Sequence, residues 1–175
     1  AAFGGLNYFR FRPGGSVTVE PQRMSNNALK KVFGALMLFW TGIFRDAGVV
    51  LSEQKAKTLQ KMDSLVAMRE QAIELQRVVG NGHCDMEVFG SILDRVWQLK
   101  RGLASSISSG EINGWYERAR AAGAYGGKVC GAGGGGFLLF VVPPTHQDAV
   151  RKALPELPEV PIGPEVHGSQ ILLLE

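Results

Sequence analysis

The chain has 175 residues, 45 % hydrophobic and 20 % charged, with a formal net charge of +3. That composition suits a folded domain with a proper core and excludes a disordered tail. No apolar run approaches the ~18–20 residues of a membrane span, and the dispersed lysines and arginines lack the dense basic stripe that a nucleic-acid groove requires.

In chain order, the first twenty residues read as a hairpin. Strands over 6–11 and 16–20 flank Pro13-Gly14-Gly15. Leu6, Tyr8, Phe9 and Phe11 carry more apolar surface than a lone hairpin can bury. The hairpin is therefore expected to pair with sheet contributed by polypeptide preceding Ala1, or with a second copy as a homodimer. Residues 35–40, Ala-Leu-Met-Leu-Phe-Trp, read as a buried central strand that Thr41-Gly42 ends.

A long helix is expected over 52–79, with Leu65, Met68, Ala72, Leu75 and Val79 on one face, stopped by Gly80-Asn81-Gly82. Asp85 is placed to cap the next helix, where Phe89, Ile92, Val96, Leu99 and Leu103 repeat the 3-4 spacing. A third helix is expected over 111–122, with Ile112, Trp115, Ala119 and Ala122 inward. The run Phe137–Val142 reads as a strand stopped by Pro143-Pro144, and a small helix begins at Thr145. Two short strands, 162–167 and 170–174, are expected to close the chain around Gly168.

This order predicts an α+β fold with a mostly antiparallel sheet and helices packed on one face. Residues 1–30 read as a hairpin and connection belonging to an N-terminal domain, and 31–175 as a C-terminal α+β domain. Two cysteines, Cys84 and Cys130, are too few for a disulfide framework and form no Cys-x-x-Cys pair, which points to a reducing, cytoplasmic setting. His83-Cys84-Asp85 are adjacent and do not readily converge on one ion, so no metal site is expected.

The densest signal lies between Gly123 and Gly136, where eight of fourteen residues are glycine. Ordering so many glycines costs on the order of 1–2 kcal/mol each. Three uses justify that cost: close approach of another backbone, close approach of a ligand, or a nest of amides around a phosphate. The loop precedes a strand and is not followed by Gly-Lys-Ser/Thr, which separates it from dinucleotide and Walker-A loops. If it lines a cleft, alanine at Gly133, Gly134 or Gly135 should harm function and be fairly well tolerated by the fold, except where a positive φ makes it destabilising.

The stretch Gly126-Gly127-Lys128-Val129-Cys130-Gly131-Ala132-Gly133-Gly134-Gly135-Gly136-Phe137-Leu138-Leu139 resembles the C-terminal signature of the GHMP kinases. Its doubled glycine before the lysine and its four consecutive glycines resemble the branch acting on D-glycero-D-manno-heptose phosphates. Ala1 to Asn7, Leu38 to Arg45 and Gly168 to Ile171 agree with that branch. The resemblance implies an ATP- and Mg²⁺-dependent transfer of phosphoryl to a sugar hydroxyl. It also implies a catalytic aspartate and a Pro-x-x-x-Gly-Leu-Gly-Ser-Ser phosphate loop that would both lie upstream of Ala1. The chain is thus expected to be the C-terminal part of such a kinase and inactive alone.

Carried over by the resemblance, Thr41, Gly42, Arg45, Gly127 and Lys128 become expected substrate contacts. Gly131, Ala132, Gly133, Gly134, Gly135 and Gly136 become an expected ATP-side cleft loop. Phe44 departs from the pattern, in which a smaller or polar residue precedes the arginine. Read without the resemblance, Arg45 is equally an arginine paired to Glu53 or solvated, and Lys128 an exposed turn lysine. The sequence also admits a non-catalytic α+β module that binds a phosphorylated metabolite or a protein partner. A nucleic-acid-binding module is favoured only by the basic charge.

Overall fold

A computed structural model describes residues 3–80 and 84–171. The hairpin forms as expected. β1 (Asn7–Phe11) pairs antiparallel with β2 (Val17–Pro21), Asn7 opposite Pro21 and Phe11 opposite Val17. Gly14 and Gly15 make its turn at φ of +90° and +84°, a region that side-chain-bearing residues avoid. Phe3, Leu6, Phe9, Phe11 and Val17 remain exposed, so the apolar excess of the hairpin is real.

Next comes α1 (Asn26–Gly34), which the sequence reading passed over. Ser25 caps it, its Oγ accepting from the Ala28 amide at 3.2 Å. The expected boundary between residues 30 and 31 falls inside this helix.

The main sheet has the order β4-β5-β3-β6 and every neighbouring pair is antiparallel. β3 (Leu36–Trp40) runs against β5 (Phe137–Val141), Leu36 opposite Val141 and Trp40 opposite Phe137. β4 (Gly126–Val129) pairs with the far side of β5. Gly126 and Gly127 therefore belong to a strand, and the loop proper is shorter than the glycine count suggested. The other edge is β6 (Glu159–Val160), opposite Phe39 and Leu38 of β3. The closing strand expected over 162–167 does not form. Pro161, Gly163 and Pro164 interrupt it, and proline cannot donate to a ladder. Of the second expected strand, Gln170 and Ile171 are not in a sheet, and 172–174 lie outside the described residues.

Alternation along β3 is clean: Met37 and Phe39 are 1 % exposed while Leu36, Leu38 and Trp40 are half-buried. Met37, Phe39, Leu138, Phe140 and Val129 face a core that includes Trp97, Ile112, Trp115 and Tyr116 from the helices. Phe39, Phe140, Tyr116 and Trp97 meet in series, with ring centroids 6.2, 5.6 and 6.1 Å apart.

The helix expected over 52–79 is two helices. α2 (Ala47–Lys57) is capped by Asp46, a 3₁₀ turn follows at Leu59–Lys61, and α3 (Met62–Gly80) completes the stretch. Leu65 and Met68 pack on the main core, Leu75 and Val79 on a second cluster with Val32, Met86 and Leu93. Asp85 caps α4 (Met86–Arg101) as expected, accepting from the Glu87 and Val88 amides. Its most buried stripe is Met86, Gly90, Leu93 and Trp97, with Ile92; Phe89, Val96 and Leu99 sit at its half-buried margin.

Gly90 explains the offset. A Cβ there would collide with Tyr125, and a Cβ on Gly126 would collide with the Gly90 carbonyl, so helix and strand touch backbone to backbone. α5 (Gly110–Ala121), capped by Ser109, buries Ile112, Trp115, Tyr116 and Ala119. α6 (Gln147–Ala153) completes the set. The Tyr116 hydroxyl donates to Asp94 at 2.6 Å. Burial, followed by that acceptor, pushes the phenol well above its ordinary range. No described helix is long and apolar enough to cross a membrane.

Gly90→Ala gains ~0.8–1 kcal/mol of helix propensity but overpacks the α4–β4 contact at a cost of ~1–3 kcal/mol. Thermal unfolding should show a lowered Tm. Gly114→Ala in α5, where a Cβ meets nothing within 4 Å, should raise it.

Candidate functional site

The glycine loop is wedged between two segments distant in sequence. On one side is the turn after β3: the Gly136 amide donates to the Ile43 carbonyl at 2.9 Å, and Thr41 Oγ1 donates to the Gly136 carbonyl at 2.7 Å. On the other side is the 3₁₀ turn Ser105–Ile107, whose Ile107 carbonyl accepts from the Gly134 amide at 2.7 Å. The structure thus brings Thr41, Arg45 and the loop together. The chemistry is reversed from a phosphate nest, because the amides of Gly134 and Gly136 are spent on protein carbonyls.

The loop's own carbonyls hold cations instead. Arg45 Nε donates to the Gly134 carbonyl at 3.2 Å, and Lys100 Nζ donates to the Gly131 carbonyl at 2.5 Å. Among the described residues Arg45 has no carboxylate partner, so the expected alternative of an Arg45–Glu53 pair does not form. Glu53 has another task. It accepts from Lys57 Nζ at 2.7 Å, and from the amides and hydroxyls of both Ser105 and Ser106 at 2.6–3.3 Å. Those bonds, Lys57 first, hold its carboxyl well below the usual carboxylate range. Glu53 on α2 thereby fixes the wall against which the loop leans.

Each remaining expected residue has a definite place. Gly42 is exposed at φ +71°, with open space where a Cβ would stand. Gly131 and Gly136 also open onto free space, at φ +72° and +82°. Ala132 is half-buried against the main core. Lys128 lies on edge strand β4 opposite Leu139. Gly127 is buried within β4, where a Cβ would collide with the Leu139 carbonyl, and serves packing. Phe44 is 85 % exposed and stands edge-on to Trp40, ring centroids 5.2 Å apart. His83 of the expected non-ligating trio lies outside the described residues.

Two contributors had no local signal. Glu53 looks like any helix acid, and Lys100 like a cation placed to complement the C-terminal dipole of α4. Yet burial, followed by repulsion from Lys128, brings the Lys100 ammonium down to about 8. Burial likewise raises the Cys130 thiol, against the pull of the two lysines. A concavity of about 660 Å³ lies elsewhere, beside Lys30, Lys31, Cys84 and Tyr125, where Asp85 and Glu87 offset its lysines.

Comparison with known proteins identifies the fold. The family described as "GHMP kinases C terminal" matches residues 67–159. The D-glycero-alpha-D-manno-heptose 7-phosphate kinase of Campylobacter jejuni is 31 % identical over 156 residues, covering 88 % of this chain and 45 % of its own length. The crystal structure of a D-glycero-D-manno-heptose 1-phosphate kinase from Bacteroides thetaiotaomicron superposes with a TM-score of 0.66 at 25 % identity, over 99 % of this chain and 47 % of that one. L. major mevalonate kinase shares the fold at a TM-score of 0.71 and 18 % identity, over 94 % and 51 % of the two chains. With a packed antiparallel α+β domain and the glycine signature in place, the chain belongs to the GHMP kinase family, of which it carries the C-terminal domain. It spans about half the length of the relatives it matches.

The expectation that the fold tolerates alanine fairly well is corrected by the packing. A Cβ on Gly133 would lie 2.9 Å from Ile107 Cγ2, one on Gly134 2.6 Å from the Ser106 carbonyl, and one on Gly135 would collide with the Ile43 carbonyl. Gly133 and Gly134 also have φ of +110° and +77°. Gly134→Ala should therefore lower the Tm, by a loss of ~1–3 kcal/mol from strain and overpacking. Lys100 gives a pH signature. Its folded pKa of about 8 lies below the 10.5 of a free lysine, so the unfolded chain binds more protons between these values and stability rises with pH there. In denaturant titrations from pH 8 to 10.5 the wild type should gain stability relative to Lys100→Met.

Proposed function

We propose that the complete polypeptide carrying this segment transfers the γ-phosphoryl group of ATP to a hydroxyl of a sugar phosphate, with a D-glycero-D-manno-heptose phosphate as acceptor. Family membership and the similarity to heptose phosphate kinases support the reaction class and the acceptor. The observation that carries the role of this domain is Arg45. Its Nε is fixed on the Gly134 carbonyl, leaving the terminal fork of the guanidinium without a carboxylate among the described residues. Such a fork matches a phosphate dianion in shape and charge.

Thr41 supports the same turn. Its hydroxyl ties Gly136 to the start of the Arg45 turn and accepts from the Ile43 amide at 3.3 Å. Phosphoryl transfer depends on positioning and charge neutralisation more than on covalent steps. A domain that holds the acceptor's phosphate at a fixed place supplies part of both. Bound ATP supplies the transferred group. Among the described residues no three His, Cys, Asp or Glu side chains gather around one point. A Mg²⁺ ion accompanying ATP would rest chiefly on the nucleotide's phosphates. The 175-residue chain by itself is expected not to turn over ATP.

The test is a panel of heptose, hexose and mevalonate-type acceptors offered with ATP to the complete polypeptide. Phosphorylated heptose phosphate is the expected product, and no product from any acceptor would sink the proposal. Arg45→Gln should raise the acceptor KM at least roughly tenfold, ~1.4 kcal/mol, and leave the KM for ATP within about twofold.

A further inference from the structure

Arg45, Lys100 and Lys128 border the glycine loop at different points, and of these Arg45 and Lys128 were expected there. Lys100 reaches the loop from the last turn of α4 and donates to the Gly131 carbonyl at 2.5 Å. Arg45 comes from the opposite side and donates to the Gly134 carbonyl at 3.2 Å. The two tethers are three residues apart, so the anchoring oxygens lie within ~10 Å of each other along the chain. Lys128, two residues before Cys130 on the edge strand, is near enough to repel Lys100.

This arrangement is electrostatically incomplete. Lys100 is half-buried with a like charge beside it, and no carboxylate pairs with Lys100, Lys128 or Arg45 among the described residues. An ammonium withdrawn from water without a counter-ion is costly, and an anion of the right size removes the cost. Donors are available. An ammonium offers three N–H groups, of which the Gly131 carbonyl uses one, and the guanidinium retains its terminal fork. Room is available too, since the outward sides of Gly131 and Gly136 are open where a Cβ would stand.

We propose that Lys100, acting with Lys128, binds a phosphate group in front of the glycine loop, the Gly131 carbonyl holding the ammonium in place for it. The proposal deepens the function argued above and rests on it for the identity of the ligand. Either the phosphate of the sugar acceptor or the terminal phosphates of a nucleotide supply this chemistry.

The experiment uses the complete polypeptide and two probes, a heptose phosphate and the non-hydrolysable nucleotide AMP-PNP, each titrated calorimetrically against wild type, Lys100→Met and Lys100→Arg. Methionine keeps most of the packed stem and removes the charge. The expected result is a loss of at least roughly tenfold in affinity for one probe in Lys100→Met, with the other probe within about twofold, and partial recovery in Lys100→Arg. The probe that weakens identifies the source of the phosphate. In the wild type, the NMR titration midpoint of the Lys100 side chain should rise from about 8 when that probe binds. Unchanged affinity for both probes overturns the proposal. So does equal weakening of both with a fallen Tm, which is what a purely structural tether would produce. Phosphorylated product with an unaffected Lys100→Met variant defeats this inference alone. Probe binding that depends on Lys100, without product from any acceptor, defeats the kinase reading alone.

Discussion

Where α4 crosses β4, the two backbones meet without side chains between them, at Gly90 and Gly126. That contact sets the height of the helix above the sheet, and much else follows from it. Trp97, two turns further along α4, reaches Tyr116 and so the aromatic series that ends at Phe39. Lys100 lies ten residues beyond Gly90, about 15 Å along the axis, and arrives beside the Gly131 carbonyl. A side chain at either glycine would lift the helix and withdraw the lysine. Packing at one end of α4 and electrostatics at the other are therefore one constraint.

The second governing feature is the direction in which the glycine loop points its dipoles. A phosphate nest presents amides, and anion affinity then comes from fixed partial charges. Here the amides of Gly134 and Gly136 close hydrogen bonds within the protein, while the carbonyls of Gly131, Gly134 and Gly136 take Lys100, Arg45 and Thr41. The loop is a bracket for positive side chains. Full charges held in place by neutral oxygens give a stronger attraction than amides alone, but one more sensitive to salt. Glu53 stands outside this set. Its five hydrogen bonds to Lys57, Ser105 and Ser106 keep its negative charge occupied within the wall.

Periodicity made much of the fold legible. β3 and β5 are continuous apolar runs, α5 shows its stripe, and Asp85 announces α4 through its cap. What escaped has physical reasons. α1 is only nine residues long, so its Ala28, Leu29, Val32 and Phe33 make a stripe of little more than one repeat. β4 is half glycine, and glycine carries no strand signal; only the opposing β5 and the helix above make it a strand. The break between α2 and α3 falls in a polar stretch with nothing to mark it. In the site, Thr41 and Arg45 were reached through a family pattern, because nothing local says that residue 45 meets residue 134. Glu53 and Lys100 were invisible for the same reason, their partners lying 52 and 31 residues away.

One property of the wedge has a further effect. The atoms that receive the loop are main-chain oxygens: Ile43 O, Ser106 O and Ile107 O lie against Gly135, Gly134 and Gly133. Every residue type supplies such an oxygen. The side chain at 106 can therefore drift with little harm to this contact, whereas Ile43 and Ile107 also set a Cγ2 against the loop and the spacing of the segments is fixed. Adding or deleting one residue between Trp40 and Arg45, or between Ala104 and Ser108, would present the wrong carbonyls to the glycines. The family signature is thus accompanied by two stretches defined by length as much as by spelling, and lineages should resist insertion and deletion there even where they admit substitution.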